Sequence, residues 1–227
     1  MRIIVTAGPT REYIDDVRFI SNASSGRMGY AVAAAAAEAG HEVTLLAGPV
    51  ALPDPPGCRV VRFESVDDLR AALAERFGQC DALVMTAAVG DFRPERRVAG
   101  KIPRAAGAVT VRLVPTEDIL AGLTAGKRLG QVVVAFAVEA MPPAGAAAKA
   151  QAEMREKGAD FVVVNGPEAM DAPRSRACVL GAAGVVLGWD VRSKEELGRE
   201  IVRLVEEERR NREQGTRNPE KQNGSSQ

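Results

Sequence analysis

The residues from Ile3 to Gly29 constrain this chain more than any others. A β-branched run, Ile3-Ile4-Val5, has the character of a buried strand and breaks at Gly8-Pro9, where no regular element can continue. Further on, Ser21-Asn-Ala-Ser-Ser-Gly-Arg-Met-Gly29 runs straight into the Ala-rich segment Tyr30–Ala39. Serines ahead of strong helix formers are N-cap candidates, and glycines in a first turn let a ligand approach the backbone. Free N–H groups and the positive end of the helix dipole then suit a bound phosphate, with the serine hydroxyls adding donors. The same residues also fit an ordinary capped helix, and Asn22 reads either as a turn residue or as an amide able to hold an acyl group beside the phosphate.

A length of 227 residues with 46% hydrophobic content suffices for one sizeable core, so a single domain over residues 1–210 is expected. Residues 211–227 are polar and aperiodic and read as a disordered tail. Thirty basic and thirty acidic residues cancel, which removes any global electrostatic footprint for nucleic acid or an anionic membrane; anion binding has to be local. Cys58, Cys80 and Cys178 are far apart, and the single histidine, His41, sits in a Gly-His-Glu turn; buried thiols, a surface imidazole and no metal site are expected. No stretch has the length of a membrane span or the order of a signal peptide, so a cytoplasmic protein is expected.

The pattern alternates. After the helix at Ser25–Ala39 come strands at 42–46 and 59–63, a helix at 66–77, and an apolar strand at 81–86. Strand, helix and strand recur at 131–136, 145–157 and 161–164, and a terminal β-hairpin (177–180 with 185–189) leads into an amphipathic helix at 193–209. Between Asp91 and Asp118, Lys101-Ile-Pro and Val109–Val114 read as the two strands of a flap. This predicts an α/β fold: a doubly wound, Rossmann-like, mostly parallel sheet with a β flap and a C-terminal β-hairpin and helix. Ligands of such sheets bind outside the carboxyl ends of the strands.

A nicotinamide cofactor fails its own requirements. Gly8 is separated from Gly26-x-x-Gly29 by a long insertion, Ala47-Gly48-Pro49 stands where a ribose-binding acid belongs, and neither Tyr13 nor Tyr30 begins a Tyr-x-x-x-Lys pair. A Walker loop is missing too. What remains is a nucleotide held by its triphosphate. Beside it, Ala87-Ala88-Val89-Gly90-Asp91 offers exposed backbone and an acid, and Lys101 reads either as a mobile charge for a phosphoryl group or oxyanion or as a solvated surface lysine, the default for any single lysine.

Taken together, Ile4-Val-Thr-Ala-Gly-Pro-Thr-Arg-Glu12, Val17-Arg-Phe-Ile-Ser-Asn-Ala-Ser-Ser-Gly-Arg-Met-Gly-Tyr30, Ala47-Gly-Pro-Val50, Ala87-Ala-Val-Gly-Asp-Phe-Arg-Pro94, Lys101-Ile102, Phe136-Ala-Val-Glu139 and Val163-Val-Asn165 resemble the phosphopantothenate-cysteine ligases of coenzyme A biosynthesis. The resemblance covers roughly residues 1–200. It implies that CTP, in the bacterial enzymes, or ATP, in the eukaryotic ones, activates the carboxylate of 4'-phosphopantothenate as an acyl nucleotidylate with Mg2+ help, and that L-cysteine then displaces the nucleotide. By position, it implies catalytic roles for Asn22 and Lys101. Nucleotide contacts would come from Gly8, Ser24, Gly26, Gly29, Asp118, Phe136, Lys157 and Asn165, and substrate contacts from Arg18, Ala87, Ala88 and Asp91. Arg18 matches an arginine that enters the partner subunit's site, which implies a homodimer, and a flavin-dependent decarboxylase would be a separate chain.

This chain departs from the family pattern at Pro115-Thr-Glu-Asp118, at Asn165-Gly-Pro, at Lys101-Ile-Pro-Arg104 and at Glu153. Glu153 stands where the family has a helix lysine, with Lys149 one turn earlier as a candidate substitute. These departures bear on nucleotide choice, and they keep open the same ligase using ATP or a non-catalytic nucleotide-binding homologue.

Overall fold

The computed structural model describes residues 1–140 and 143–217. In chain order the elements are β1 (Arg2–Ala7), β2 (Arg11–Tyr13), β3 (Phe19–Ser21), α1 (Arg27–Glu38), β4 (Glu42–Ala47), β5 (Cys58–Arg62), α2 (Val66–Arg76) and β6 (Ala82–Met85). There follow β7 (Phe92–Pro94), β8 (Leu113–Pro115), α3 (Ile119–Thr124), β9 (Val132–Val138), α4 (Pro143–Glu156), β10 (Phe161–Asn165), β11 (Arg174–Gly181), β12 (Gly184–Ser193) and α5 (Lys194–Arg217).

Eight strands form one sheet in the order β5-β4-β1-β6-β9-β10-β11-β12. The first six run parallel, and β11 and β12 add an antiparallel hairpin. The apolar runs of β1, β6 and β10 are those of strands covered on both faces. Ile3, Val5 and Ala7 face a core closed by α1 and α5, whereas Ile4, Leu83 and Met85 face one closed by α2, α3 and α4. The order reverses between β1 and β6, the switch point at which doubly wound sheets hold ligands.

Small residues set how closely the layers meet. A Cβ at Gly29 would lie 2.4 Å from Ala7 Cβ, 2.5 Å from Thr86 Oγ1 and 2.7 Å from Thr6 O, so the first turn of α1 rests directly on β1 and the end of β6. A Cβ at Gly198 would lie 3.0 Å from Ala31 O, so the alanine-rich helix also brings α5 close, though less tightly.

Several expectations need correction. The flap pairs Phe92–Pro94, not Lys101–Pro103, with Leu113–Pro115. Around Lys101 the backbone donors go to side chains instead: Gly100 N to Asp16 Oδ2 (2.7 Å) and Ile102 N to Asp15 Oδ2 (3.1 Å). The chain also forms a second hairpin, β2–β3, and the short helix α3, neither of which the pattern predicts. His41 is not a free surface group, since its Nε2 lies 3.0 Å from Glu206 Oε1 and its side chain is 12% exposed. The thiols of Cys80 and Cys178 are buried, and burial pushes both up to about 11.

The expected tail begins inside α5, which continues to Arg217; residues 218–227 lie outside the described residues. Polar composition misled here because the charges have long-range partners. Arg212 donates to Asp160 Oδ1 and to Gln131 O (2.6 Å each), and Arg209 donates to Gly130 O (2.9 Å), tying α5 to the amino ends of β9 and β10.

A chain ended at residue 210 loses the partly buried Arg212–Asp160 pair and is therefore predicted to lose about 2 kcal/mol, with Tm falling by about 4–8 °C. An unchanged Tm would mean that the last turns of α5 contribute nothing. Gly29→Ala is predicted to destabilise by about 1–3 kcal/mol through overpacking. At Gly122, an exposed position of α3, a Cβ meets nothing within 4 Å, and Gly122→Ala is predicted to leave stability unchanged or raise it by up to about 1 kcal/mol. Thermal unfolding of the two variants separates these outcomes.

Candidate functional site

Past the ends of β1 and β6 the chain stays paired. Ala88 N donates to Gly8 O (3.0 Å), Thr10 N donates to Ala88 O (3.3 Å), and Pro9 and Ala88 form a parallel bridge. Threonines fasten the loop after β6. Thr6 Oγ1 accepts from Ala87 N (3.0 Å), Thr10 Oγ1 accepts from Gly90 N (3.0 Å), and Thr116 donates to Gly90 O (2.6 Å). Thr116, one of the departures noted above, thus anchors the backbone beside Asp91.

The loop before α1 crosses this rim. Asn22 Nδ2 donates to the carbonyls of Ala88 (3.2 Å) and Val89 (3.0 Å), which fixes the amide plane and leaves Oδ1 as its presented group. The N-cap of α1 is Gly26, at φ +76°, and not a serine. Ser25 donates its hydroxyl to Met170 O (2.8 Å) instead, and Ser24 Oγ accepts from Gly26 N (3.4 Å). No side chain caps α1, so the positive end of its dipole and its first N–H groups are left for a ligand.

These elements border a cavity of about 700 Å3, within the range of small-molecule and nucleotide sites. Asn22, Ser24, Gly26, Gly29, Ala87, Ala88, Asp91, Asp118, Phe136, Lys157 and Asn165 all line it. Asp118 caps α3 through Ala121 N (3.0 Å) and pairs with Lys157 Nζ (3.1 Å). Burial pushes its carboxyl up, but those two donors outweigh it and hold the group below the usual carboxylate range. At the end of β10, Asn165 is buried and its Oδ1 has no hydrogen-bond partner among the described residues. A buried acceptor left open is costly unless a ligand satisfies it.

Glu153 lines the cavity, whereas Lys149 does not, and its Nζ is held by Glu139 (2.8 Å) and Glu153 (3.6 Å). Reasoning from the sequence also missed Lys194. It falls in the amphipathic helix expected at 193–209 with no role of its own, yet it is buried and lines the cavity.

The family model for the DNA/pantothenate metabolism flavoprotein C-terminal domain matches residues 1–208. The chain belongs to this family. It is 44% identical, over 72% of its length and 41% of the relative's, to the coenzyme A biosynthesis bifunctional protein CoaBC of Mycobacterium tuberculosis. It is 37% identical, over 90% of its length and 57% of the relative's, to a cysteine/cysteine sulfinic acid decarboxylase from an unknown prokaryotic organism. The chain thus spans about half the length of the curated relatives it matches. Among solved structures, the C-terminal domain of CoaBC is 34% identical and superposes with a TM-score of 0.77, covering 92% of this chain and 96% of that one. The resemblance drawn from the residues and the Rossmann-like α/β fold both stand.

Within this family member, three of the residues singled out lie away from the cavity lining. Gly8 takes φ +82° and shapes the turn after β1. Arg18 lies in the tip of β2–β3, against which the backbone of Ile102, next to Lys101, is held. Asp15, fully buried, organises that tip: it accepts from Arg18 N (2.7 Å), Val17 N (2.9 Å) and Ile102 N (3.1 Å) and pairs with the Arg18 guanidinium (2.9 Å). Arg18 in turn donates to Ile102 O. Burial pushes the Asp15 carboxyl up, and these donors more than reverse it, leaving the group below its ordinary range. Its contribution is therefore present above the unfolded value of about 3.9 and is lost as the pH falls through the lower folded value.

Amide exchange at Ile102, normalised for its intrinsic rate, is predicted to stay slow down to about pH 4 and to quicken below it. In Asp15→Asn it should already be fast at neutral pH. Equal protection in both proteins would remove Asp15 from this role.

Proposed function

We propose that this chain is a phosphopantothenate-cysteine ligase. CTP activates the carboxylate of 4'-phosphopantothenate as an acyl-cytidylate with release of pyrophosphate; the amine of L-cysteine then attacks the acyl carbon, and CMP leaves as the amide forms. Dividing the reaction at a mixed anhydride replaces one difficult displacement with two easier ones. The observation that carries this reading is Asn22. Its Nδ2 is pinned to two carbonyls at the sheet's switch point, and the group stands between an uncapped helix N-terminus and the Ala87–Asp91 rim.

In this reading the first turn of α1, with Ser24, Gly26 and Gly29, takes the triphosphate, and Lys157 neutralises part of its charge. Phe136 and Asn165 line the space for the rest of the nucleotide. The open Asn165 Oδ1 suits an N–H or O–H of base or ribose. Among the described residues no three His, Cys, Asp or Glu side chains come together to hold a metal. The cavity carboxylates Asp91, Glu117, Asp118 and Glu153 are hard oxygen donors, suited to Mg2+ arriving with the triphosphate, where it would offset phosphate charge. Arg18 and Lys101 stand outside their own chain's cavity, which suits a homodimer whose second copy completes each site. No helix of the described residues is long and apolar enough to cross a membrane, which fits a cytoplasmic enzyme. The product would pass to a flavin-dependent decarboxylase.

Pyrophosphate release that depends on 4'-phosphopantothenate, with CTP in excess over ATP, is the expected activity. Release with ATP alone would reassign the nucleotide, and no release with either would leave a non-catalytic nucleotide-binding homologue. Asn22→Asp should impair consumption of the acyl-nucleotidylate by cysteine more than its formation, and Lys101→Gln its formation. Equal loss in both half-reactions for both variants would refute this division of roles.

A further inference from the structure

The cavity contains a cation that the roles above do not use. Lys194 is the first residue of α5 and is 4% exposed. Its Nζ donates to Ala169 O (2.8 Å) and to Ser175 Oγ (3.0 Å), both neutral acceptors, and no carboxylate of the described residues lies within ion-pair distance of it. Its position is unfavourable twice over. Burial disfavours an ammonium, and the amino end of a 24-residue helix repels positive charge. Burial accordingly lowers its proton affinity. Glu195 in the same first turn supplies part of the compensating negative charge from beyond ion-pair distance, and the cavity that Lys194 lines is where the rest can come from.

Lys194 is also mechanically linked to the anion loop. Ala169, which it holds, ends the short turn Pro167–Ala169 that directly follows β10 and Asn165. The next residue, Met170, offers its carbonyl to Ser25 Oγ (2.8 Å) and Ser25 N (3.5 Å). One buried ammonium therefore fixes the turn that joins the open acceptor Asn165 Oδ1 to the loop at the start of α1. Backbone hydrogen bonds close that turn, from Ala169 N to Gly166 O (3.0 Å) and from Met170 N to Pro167 O (3.2 Å), so it moves as a unit.

We propose that Lys194 is a positioning residue of the nucleotide site. It holds the 167–170 turn against the Ser24–Gly26 loop, and its positive charge favours the anionic nucleotide over the empty cavity. The inference rests on the nucleotide reading and adds a residue to it. Lys194 does not touch the reacting carboxylate, so its effect falls on nucleotide affinity and not on the chemical steps.

The test is calorimetric titration of CTP-Mg2+, and of inorganic tripolyphosphate-Mg2+, into wild type, Lys194→Met, Lys194→Arg and Ser175→Ala, alongside steady-state pyrophosphate release. Lys194→Met should weaken CTP and tripolyphosphate binding by about 10-fold or more, the size of a lost charge-assisted interaction, and raise KM for CTP in parallel. Its kcat should fall by less than about 3-fold. Lys194→Arg should recover most of the affinity, and Ser175→Ala should lose only a few-fold. If Lys194→Met does not fold, the comparison passes to Lys194→Arg and Ser175→Ala, and wild-type affinity in Ser175→Ala together with a kcat defect in Lys194→Arg would overturn the proposal. So would unchanged CTP affinity in a folded Lys194→Met, or a loss confined to kcat. A wild type that binds neither CTP nor ATP would instead overturn the nucleotide reading itself.

Discussion

There is no room for a side chain at position 29, and the rest of the site follows from that. With a hypothetical Cβ only 2.4 Å from Ala7 Cβ and 2.7 Å from Thr6 O, only glycine lets α1 start directly on the ends of β1 and β6. Because the helix starts there, the preceding loop passes over the loop after β6, and Asn22 reaches the carbonyls of Ala88 and Val89. Because Gly26 takes a left-handed conformation at the N-cap, no side chain consumes the first N–H groups. One close contact between layers thus places a dipole end, an oriented amide and exposed strand-end backbone on one rim.

The electrostatics of that rim are balanced internally. Lys157 is engaged by Asp118 and Lys149 by Glu139, while Glu153 brings negative charge to the same side of the cavity. Anion binding therefore depends on fixed dipoles, on the buried Lys194 and on any cation that accompanies the ligand, more than on a cluster of free lysines. The departures from the family pattern take on physical content in this light. Thr116 brings no charge but locks Gly90, and Glu153 engages the lysine that stood as its substitute.

The sequence showed the parallel sheet because each member announces itself locally: β-branched runs at 3–5 and 161–164, a capped helix from Val66, and small residues through α1. What it hid depends on distant partners. The serines before α1 looked like caps, but Ser25 bonds to Met170, 145 residues away. Lys101-Ile-Pro looked like a flap strand, but Asp15 and Asp16 take its backbone donors. The charged end of α5 looked like a tail because nothing in its own composition discloses Asp160. Lys194 opens a helix whose amphipathic pattern suggests a solvated residue, and only the packing of β11 and the 167–169 turn encloses it. The hairpin β2–β3 was hidden for a related reason: its three-residue strands lack a periodic signal, and Asp15 supplies the order that the strands do not.

The most direct measurement is a crystal structure of the protein with CTP, Mg2+ and 4'-phosphopantothenate. This account places the triphosphate on the first turn of α1 between Ser24 and Gly29, and the acyl group within hydrogen-bond distance of the Asn22 amide. A triphosphate bound away from that turn, or an acyl group out of reach of Asn22, would contradict it.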